Sequence, residues 1–573
     1  MNTNDYEKEL TGYPSIDKPW LKYYSEEAIN APLPESTIYE YLWENNRDHL
    51  DDVALVYFGR KITYGKLFEN IDKAARAFSA VGIKEGDIVT GIAPCVPEII
   101  YSFYALNRIG AVSNWLDPRM DLGNISKDLK NTETKILLIL NDFYNKYKTI
   151  INEDLYTVIF SVKDSLPLIP KTVIAIKDKA PKATSNLIRY IDFVKKYNAY
   201  DFNDCSYKAN RLALMEHTGG TTGIPKAVML SNENVNAVVE QYRCGESPFS
   251  RNHSWLSIAF PFTAYSMICS HHLPLSLGMK CHLCFDTDTN KISQQIFRYH
   301  TNHMANTPVV WEHLINSCKA DKLDFSFLIC PTVGADTLDV EKEKKINAFL
   351  RSHGCKYNIA KGYGMTEVGS AVSFCINNEC NKLGSVGVPF PKTVISVFDM
   401  ETQKELLYDE QGEICISGPS VMLGYFNNTE ETNKVLKIHS DGTVWLHSGD
   451  FGHIDKDGFL FIDGRIKRMI INHHGLKIFA PTIEKVIQQV NGVYKCCVVG
   501  VKDANYNVGQ VPAVFLILEK NTDKNLVIAN VKLACKKGLP AYYMTEKFIF
   551  VDEFPYTSAA KVDYRSLEEM ANL

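Results

Sequence analysis

Short apolar runs alternate with amphipathic helical stretches along much of the chain, and this alternation limits the possible folds more than any other feature. Apolar residues recur at helical spacing over Leu67–Phe78, and the β-branched run Asp87–Ala93 follows soon after. A second helical stretch, Pro97–Ile109, precedes the strand-like run Ala111–Trp115. This order is typical of βαβ units, whose parallel strands are buried on both faces. The pattern therefore predicts an α/β fold with mostly parallel sheets.

The same alternation continues downstream and then restarts on a smaller scale near the C-terminus. Further strands are predicted at Lys135–Leu140, Tyr156–Val162 and Thr172–Ile176. The C-terminal pattern predicts strands at Val498–Val501, Ala513–Leu518 and Phe548–Val551, and a helix at Leu526–Cys535. A chain of 573 residues exceeds what one hydrophobic core normally organises. We therefore expect a large, multi-layer α/β domain and a small, mobile α/β domain.

Three segments follow from this reading of the chain. Residues 1–37 are predicted to form an N-terminal arm, because Pro14, Pro19, Pro32 and Pro34 interrupt any helix there. Residues 38–464 are predicted to form the large domain, and residues 465–573 the small one.

Composition excludes several classes of function. The chain has 62 Lys and Arg against 67 Asp and Glu, a net charge of −5, so it has no bulk basic field for nucleic acid. Its longest apolar runs are far below the roughly 18 residues that a transmembrane helix needs, so we expect no integral membrane association. The 15 cysteines follow no regular framework, and the N-terminus is acidic where a signal peptide is basic and then apolar. We therefore expect a reducing, cytoplasmic location.

The strongest local signal is the segment Thr218–Lys226, with the sequence TGGTTGIPK between two apolar runs. Glycines let successive backbone N–H groups turn toward one anion, hydroxyl groups add donors, and Lys226 adds positive charge. The segment is not a Walker A loop, because Lys226 follows Pro225 and precedes Ala227, where that motif has Gly-Lys-Ser/Thr. These residue types nevertheless predict a loop that binds polyphosphate.

This loop resembles the phosphate-binding signature of the adenylate-forming superfamily, which includes acyl-CoA synthetases. Other signatures of that family follow in order. They are Gly362–Glu367 (GYGMTE), Gly412–Tyr425, Trp445–Asp450 (WLHSGD), Asp463–Lys467 (DGRIK) and Thr557–Lys561 (TSAAK). The resemblance covers about residues 38 to 570. It implies a two-step reaction, in which a carboxylate attacks the α-phosphorus of ATP to give an acyl adenylate and pyrophosphate, and a thiol then takes the acyl group.

The resemblance also implies a role for each matching residue. Glu367 is expected to hold Mg²⁺, with Thr366 near the α-phosphate, while Asp450 accepts the ribose hydroxyls and Arg465 donates to the ribose or α-phosphate. The other expected nucleotide-binding residues are Thr218, Gly219, Gly220, Thr221, Thr222, Gly223 and Lys226 for the phosphates, and Gly334, Ala335, Gly362, Tyr363, Gly364 and Met365 for the adenine region. Tyr363 is expected to stack on the adenine.

Two lysines near the C-terminus receive distinct roles from the resemblance. Lys561 is expected to reach from the small domain and neutralise the transition state of adenylate formation. Lys467 matches the hinge about which the small domain swings between the two half-reactions.

The substrate and acceptor are less constrained. The segment Pro261–Tyr265 lacks the aspartate with which amino-acid-activating domains pair a substrate ammonium, and an unpaired buried charge costs several kcal/mol. We therefore expect a fatty or aryl carboxylic acid, in keeping with a role in fatty acid metabolism, and coenzyme A as acceptor. The phosphopantetheine arm of an acyl carrier protein is the first alternative. A nucleotide-binding protein without catalysis is the second, and the joint presence of Glu367, Asp450, Arg465 and Lys561 argues against it.

Several residues that invite a site are interpreted as structural. Cys281 and Cys284, with His271 and His272 upstream, suggest a zinc site, but a single C-x-x-C without a second pair is more simply part of a buried strand. His447 and His453 are interpreted as structural, because the expected mechanism needs no base there. The charge cluster Glu341–Lys345 is interpreted as the solvated face of a helix.

Overall fold

The computed structural model describes residues 10–151, 154–167, 181–218, 225–258, 260–284, 289–316, 323–334, 338–503, 508–544, 547–555 and 562–572. The predicted strand Thr172–Ile176 lies outside these ranges.

The strands of the described residues are numbered in chain order. They are β1 Val53–Tyr57, β2 Arg60–Thr63, β3 Ile88–Ile92, β4 Val112–Trp115, β5 Ile136–Leu140, β6 Tyr156–Phe160, β7 Leu187–Arg189, β8 Leu212–His217, β9 Ala227–Ser231, β10 Ser254–Ser257, β11 Lys280–Leu283, β12 His303–Asn306, β13 Cys330–Val333, β14 Ala360–Tyr363, β15 Ser373–Phe374, β16 Val388–Pro389, β17 Val394–Phe398, β18 Gly412–Ser417, β19 Gly424–Tyr425, β20 Leu436–Ile438, β21 Val444–Ile454, β22 Leu460–Arg465, β23 Met469–Ile471, β24 Lys477–Phe479, β25 Val493–Lys502, β26 Gln510–Leu518 and β27 Lys547–Phe550.

Helices connect and cover these strands. The α-helices are Pro14–Asp17, Glu26–Asn30, Ile38–Asn46, Tyr64–Ala80, Pro97–Arg108, Leu122–Asn131, Asn141–Tyr147, Tyr190–Lys196, Asn232–Cys244, Leu273–Ser276, Thr289–Tyr299, Pro308–Ile315, Val340–Ser352, Thr429–Val435, Ala480–Ile487, Lys524–Gly538 and Tyr564–Asn572. Short 3₁₀ turns are Pro19–Tyr23, Thr366–Val368, Ile466–Arg468 and Ala541–Tyr543, and a π-helix spans Tyr265–His272.

Two large sheets form the frame of the N-terminal part. One has nine strands in the order β16-β15-β14-β13-β12-β10-β11-β1-β2, and the other has eight in the order β19-β9-β8-β4-β3-β5-β6-β7. Their inner strands are parallel, and antiparallel pairs occur only toward the sheet ends. The predicted α/β class with mostly parallel sheets is confirmed.

The helix Tyr64–Ala80 shows why the local pattern predicted these units. Thr63 caps it by accepting a hydrogen bond from the Lys66 N–H. Its apolar residues recur on one face, and Leu67, Ile71 and Phe78 are fully buried. This face contributes to the main hydrophobic core together with residues of the helix Pro97–Arg108.

A third sheet was not predicted. It is antiparallel, with strand order β17-β18-β21-β20 and with β22 also paired to β21. β21 is 11 residues long and carries the segment WLHSGD. Because this sheet lies between residues 394 and 465, the predicted boundary after residue 464 falls within its last strand, β22.

The C-terminal part has its own smaller sheet and its own core. β25 pairs antiparallel with β26, which pairs parallel with β27. The helix Ala480–Ile487 contacts β25, and the helix Lys524–Gly538 covers the same core. These elements agree with the smaller α/β unit expected from the sequence.

The N-terminal arm differs from its prediction. Two of its prolines begin short helices, at Pro14–Asp17 and Pro19–Tyr23, instead of interrupting them. The reason is that proline suits the first helical position, where the missing N–H has no intrahelical partner and φ is already helical. Trp20 of this arm is fully buried in the main core.

The interpretation of Glu341–Lys345 as a solvated face is wrong for one residue. Glu343 in the helix Val340–Ser352 is 1% exposed, and it forms an ion pair with the buried Lys361 on β14. Its other oxygen accepts a hydrogen bond from the Gly384 N–H. A buried charge is tolerated here because an opposite charge and a backbone donor satisfy it.

The structural interpretation of Cys281 is confirmed. Cys281, His282 and Leu283 belong to β11, which lies in the middle of the nine-stranded sheet between β10 and β1. Cys281 and Cys284 are both buried. Among the described helices, none combines the length and the apolar character needed to cross a bilayer.

Candidate active site

The ends of the glycine- and threonine-rich loop are held together by its first and last residues. The Thr218 N–H donates to the Lys226 carbonyl oxygen at 3.0 Å, and the Lys226 N–H donates to Oγ1 of Thr218 at 3.2 Å. β8 and β9 run antiparallel up to the pair His217 and Ala227, so these strands bring the two ends of the loop together. Gly219, Gly220, Thr221, Thr222 and Gly223 lie outside the described residues.

The segment GYGMTE begins with the last two residues of β14 and continues past its carboxyl end, next to the carboxyl end of β13. The two strands are parallel neighbours, with Thr332 opposite Ala360. Ligands of open parallel sheets bind at this edge of the strands. The structure therefore brings Gly334, just after β13, close to Tyr363, at the end of β14.

Two glycines near this edge have opposite surroundings. A Cβ on Gly364 would lie 1.5 Å from the carbonyl oxygen of Ser370, so only glycine fits at that position. A Cβ on Gly334 would meet no atom within 4 Å, so there is open space beside this backbone. Ala335, which was predicted with Gly334 to approach the adenine, lies outside the described residues.

Glu367 lies in the short 3₁₀ turn Thr366–Val368 and is 8% exposed. Its Oε1 accepts a hydrogen bond of 2.8 Å from the phenol of Tyr425. Burial and the negative charge of Glu367 both raise the pKa of Tyr425, so the phenol stays a donor. The Glu367 carboxylate is therefore held in one orientation by a tyrosine that has no other predicted role.

Lys226 lies on the other side of the same tyrosine. Its Nζ is 4.2 Å from the centroid of the Tyr425 ring and 3.1 Å from Oε2 of Glu431. Ion pairing with Lys434 and with Lys226 lowers the pKa of Glu431. Sequence reasoning missed Tyr425 and Glu431, although Tyr425 ends the quoted segment Gly412–Tyr425.

Asp450 on β21 receives a donor on each carboxylate oxygen. The Tyr363 phenol donates to Oδ2 at 2.6 Å, and Nε of Arg465 lies 2.8 Å from Oδ1. Asp450 is 3% exposed, whereas about half of the Arg465 side chain is exposed. Burial and the Asp450 charge raise the pKa of Tyr363. Three predicted nucleotide-binding residues thus form one hydrogen-bonded group.

The irregular part of β21 that carries Asp450 is supported from the neighbouring strand. Glu413 on β18 accepts the Gly449 N–H on Oε1 at 3.1 Å and Nδ1–H of His447 on Oε2 at 2.8 Å. Gly449 has a φ of +69°, a conformation that favours glycine. These contacts agree with the structural interpretation of His447. His453 likewise lies against a carboxylate, Asp463, with Nδ1 at 3.4 Å from Oδ2.

Lys467, the predicted hinge residue, lies in the 3₁₀ turn Ile466–Arg468. Burial and the neighbouring positive charge of Lys226 both lower the pKa of Lys467. Two ammonium groups that repel each other in this way form a region attractive to a polyanion. Lys561 and the rest of its loop lie outside the described residues, so its predicted role stays a prediction.

This set of side chains fits a magnesium nucleotide. Glu367 supplies a carboxylate, the type of ligand that Mg²⁺ prefers, and Lys226, Lys467 and Arg465 supply positive charge for phosphates. A Cβ built on Gly334, which was predicted to pass close to the adenine, would meet none of the described atoms within 4 Å. Met365 and Thr366, half-buried in the same segment, lie between the base region and Glu367.

Comparisons with known proteins found matches along most of the chain. The model of the AMP-binding enzyme family matches residues 42–426, and that of the AMP-binding enzyme C-terminal domain matches residues 482–561. The long-chain-fatty-acid–CoA ligase of Bacillus subtilis (strain 168) is 27% identical over 570 residues, which cover 96% of this chain and 98% of that ligase. The 4-coumarate–CoA ligase 1 of Arabidopsis thaliana is 26% identical, with coverage of 94% and 93%.

Solved structures share the fold. ATP-bound MatB from Rhodopseudomonas palustris superposes with a TM-score of 0.78 at 21% identity, covering 93% of this chain and 98% of that one. The anthranilate CoA ligase AuaEII in complex with anthranoyl-AMP gives a TM-score of 0.79 at 18% identity, with coverage of 95% and 98%. The family models together match well over half of the chain, which therefore belongs to the AMP-binding enzyme family.

Proposed function

We propose that this protein is an ATP-dependent acid–coenzyme A ligase that forms AMP. It joins a fatty or aryl carboxylic acid to coenzyme A through an acyl adenylate. The observation that carries the proposal is the pair of contacts made by Tyr425, which bring the carboxylate of Glu367 and the ammonium of Lys226 to one side chain. The names of the curated relatives, long-chain-fatty-acid–CoA ligase and 4-coumarate–CoA ligase, support the same reaction.

In the first half-reaction, a carboxylate oxygen attacks the α-phosphorus of ATP and pyrophosphate leaves. The nucleophile already carries its charge, so the site needs no general base. The barrier arises from negative charge that accumulates around phosphorus, and positioned cations lower it. We assign Lys226, with Thr218, Thr221 and Thr222, to the β- and γ-phosphates and Arg465 to the α-phosphate or ribose.

In this proposal, different residues hold the magnesium ion and the ribose. Glu367 would hold Mg²⁺, which when bound supplies positive charge to the phosphate oxygens. Asp450 would accept the ribose hydroxyls, since each carboxylate oxygen accepts more than one hydrogen bond. Gly334, Gly362 and Gly364 would let the backbone approach the base.

In the second half-reaction, the sulfur of coenzyme A attacks the acyl carbon, AMP leaves, and the thiol proton is released. We assign Lys561 to the first step and Lys467 to the hinge between the two steps. Lys467 lies close enough to Lys226 for the two positive charges to repel each other. This supports a position of Lys467 near the phosphates before pyrophosphate leaves. Coenzyme A is preferred to a carrier protein because the curated relatives are named as CoA ligases.

The cysteines support a reducing compartment, which we propose to be the cytoplasm. Every cysteine in the described ranges is a free thiol, and most of them are buried. Free thiols in this number are typical of proteins that fold under reducing conditions.

The decisive experiment measures pyrophosphate release from MgATP across a panel of fatty, aryl and amino acids, each with and without coenzyme A. Formation of a thioester with coenzyme A and a fatty or aryl acid is the expected result. Release that leaves a bound adenylate and does not respond to coenzyme A would instead indicate a carrier protein as acceptor. No release with any acid would contradict a catalytic function.

A further inference from the structure

Four side chains with metal-binding atoms lie together on one face of the antiparallel sheet. Glu413 and Cys415 are two residues apart on β18, so both point to the same face. Cys415 is directly opposite His447 on β21. His439 follows β20, the next strand of the sheet.

The distances between these groups are those of a compact cluster. A carboxylate oxygen of Glu413, Sγ of Cys415 and a ring nitrogen of His447 all lie within 4.8 Å of one another. Nε2 of His439 is 3.1 Å from Nε2 of His447. In the described part of the chain this is the only group of at least three such residues that approaches so closely.

Hydrogen bonds already orient the central imidazole. A carboxylate only accepts, so Nδ1 of His447 carries the hydrogen that it shares with Glu413 at 2.8 Å. Nε2 of His447 then accepts a hydrogen bond from Nε2–H of His439, so Glu413 and His439 lie at opposite nitrogens of the ring. A group that orients a histidine through one nitrogen while the other nitrogen binds the ion is the usual outer partner of a metal-binding imidazole, and His439 has this position.

We propose that Glu413, Cys415 and His447 form a binding site for one divalent cation of the zinc class, in which the ion replaces the hydrogen on Nδ1 of His447 and His439 orients the ring from Nε2. Imidazole and thiolate ligands select Zn²⁺ and related ions over Mg²⁺, which prefers oxygen. The cluster is thus chemically distinct from Glu367. Its location gives it a route to influence the enzyme, because Glu413 also accepts a hydrogen bond from the Gly449 N–H, next to Asp450 on β21.

The surroundings of the cluster provide both protection and access. Cys415 and His447 are buried, and Cys415 packs with Phe398 and Trp445 in a small apolar cluster. His439 is half-buried, so its side of the cluster is the more exposed one, and its N–H donates to the Thr443 carbonyl oxygen. Burial raises the pKa of the Cys415 thiol, and the charge of a bound cation compensates for this by stabilising the thiolate.

Titration of the metal-free, full-length chain with Co²⁺ and with Zn²⁺, in excess Mg²⁺ to fill oxygen sites, tests the proposal. Wild type should bind one equivalent of Co²⁺ with the sulfur-to-cobalt charge-transfer absorption of a thiolate ligand, and Zn²⁺ should displace it. The variant Cys415→Ser should lose that absorption. The variant His439→Gln should bind Zn²⁺ about 10- to 100-fold more weakly.

A matched control removes an imidazole elsewhere. His473 also pairs with a carboxylate, Asp503, but on a different hairpin, so His473→Gln should bind like wild type. Because His439 has no assigned catalytic role, His439→Gln should keep wild-type pyrophosphate release without Zn²⁺, which verifies its fold. Wild type without the charge-transfer absorption, or an absorption that survives in Cys415→Ser, would overturn the proposal. An unchanged Zn²⁺ affinity in His439→Gln would do the same.

Discussion

The phenol of Tyr425 donates a hydrogen bond of 2.8 Å to Glu367, while its ring lies 4.2 Å from the ammonium of Lys226. One side chain thus positions the proposed Mg²⁺ ligand and the proposed phosphate-binding cation together. The two contacts use different parts of the tyrosine, the hydroxyl group and the aromatic face. Substitution can therefore separate them.

Tyr425→Phe keeps the aromatic face under Lys226 and removes only the donor to Glu367. We expect the Mg²⁺ concentration for half-maximal activity to rise about 10- to 100-fold, because partners that orient a metal ligand typically contribute that much. Pyrophosphate release measured against Mg²⁺ at constant ATP gives this value. Tyr408→Phe is the control, since Tyr408 donates its hydrogen bond to Asp17 of the N-terminal arm. An unchanged Mg²⁺ requirement would remove Tyr425 from metal binding.

Asp450→Asn tests the ribose contact. The change removes the charge that pairs with Arg465 and weakens hydrogen bonds that are worth about 1.5–3 kcal/mol with a charged group. The KM for ATP should therefore rise roughly 10- to 100-fold. Comparison of ATP with its 2′-deoxy and 3′-deoxy analogues identifies the cause. Wild type should discriminate against both analogues and the variant much less, whereas equal discrimination would place the hydroxyls elsewhere.

Local patterns were sufficient to predict the parallel strands of the large sheets. β5, for example, is a run of five apolar residues that is buried along its whole length, and such a run needs no distant partner to be recognised. The antiparallel sheet was not predicted because β21 is long and interrupted by Ser448, Gly449 and Asp450, so neither strand nor helix periodicity dominates there.

Contacts between distant segments explain the remaining differences. Tyr425 and Glu367 are 58 residues apart, and nothing in the sequence near either residue indicates the other. The burial of Glu343 likewise depends on Lys361, 18 residues away on β14. The residues of the nucleotide site could be recognised because their motifs occur in the order typical of the family. The side chains that contact these residues come from distant segments, so only the folded structure identifies them.

Glu216 on β8 predicts a pH dependence of stability. It is fully buried, neither carboxylate oxygen has a hydrogen-bond partner among the described residues, and burial raises its pKa well above the ordinary value of 4.5. Above pH 4.5 the unfolded chain loses this proton while the folded chain keeps it, so stability falls by about 1.4 kcal/mol per pH unit until the folded pKa is reached. Glu216→Gln removes this loss, and its advantage over wild type should grow as the pH rises.

Glu233→Gln is the control, because the pKa of Glu233 is shifted in the opposite direction. Burial alone would raise the pKa of Glu233, but hydrogen bonds from Tyr207 and from the Asn210 N–H outweigh it and lower the pKa. Its stabilising contribution is present above the unfolded pKa and is lost as the pH falls, so the glutamine variant should be less stable than wild type at neutral pH. Urea unfolding midpoints at pH values of about 5, 7 and 9 measure both variants. Parallel pH profiles of Glu216→Gln and wild type would show that Glu216 titrates normally.

Lys561→Ala tests whether Lys561 acts only in adenylate formation. A cation that neutralises charge only while the adenylate forms should matter for that step alone, and its loss should slow adenylate formation by about 10²- to 10³-fold. Thioester formation from supplied acyl adenylate and coenzyme A should keep its wild-type rate. Lys537→Ala removes a comparable positive charge from the exposed last turn of the helix Lys524–Gly538 and should change neither step. Both variants lose one lysine from the same part of the chain, so only the position of the lysine differs between them. If Lys561→Ala alone slowed both half-reactions equally, Lys561 would support the overall geometry of the site and not the adenylation step in particular.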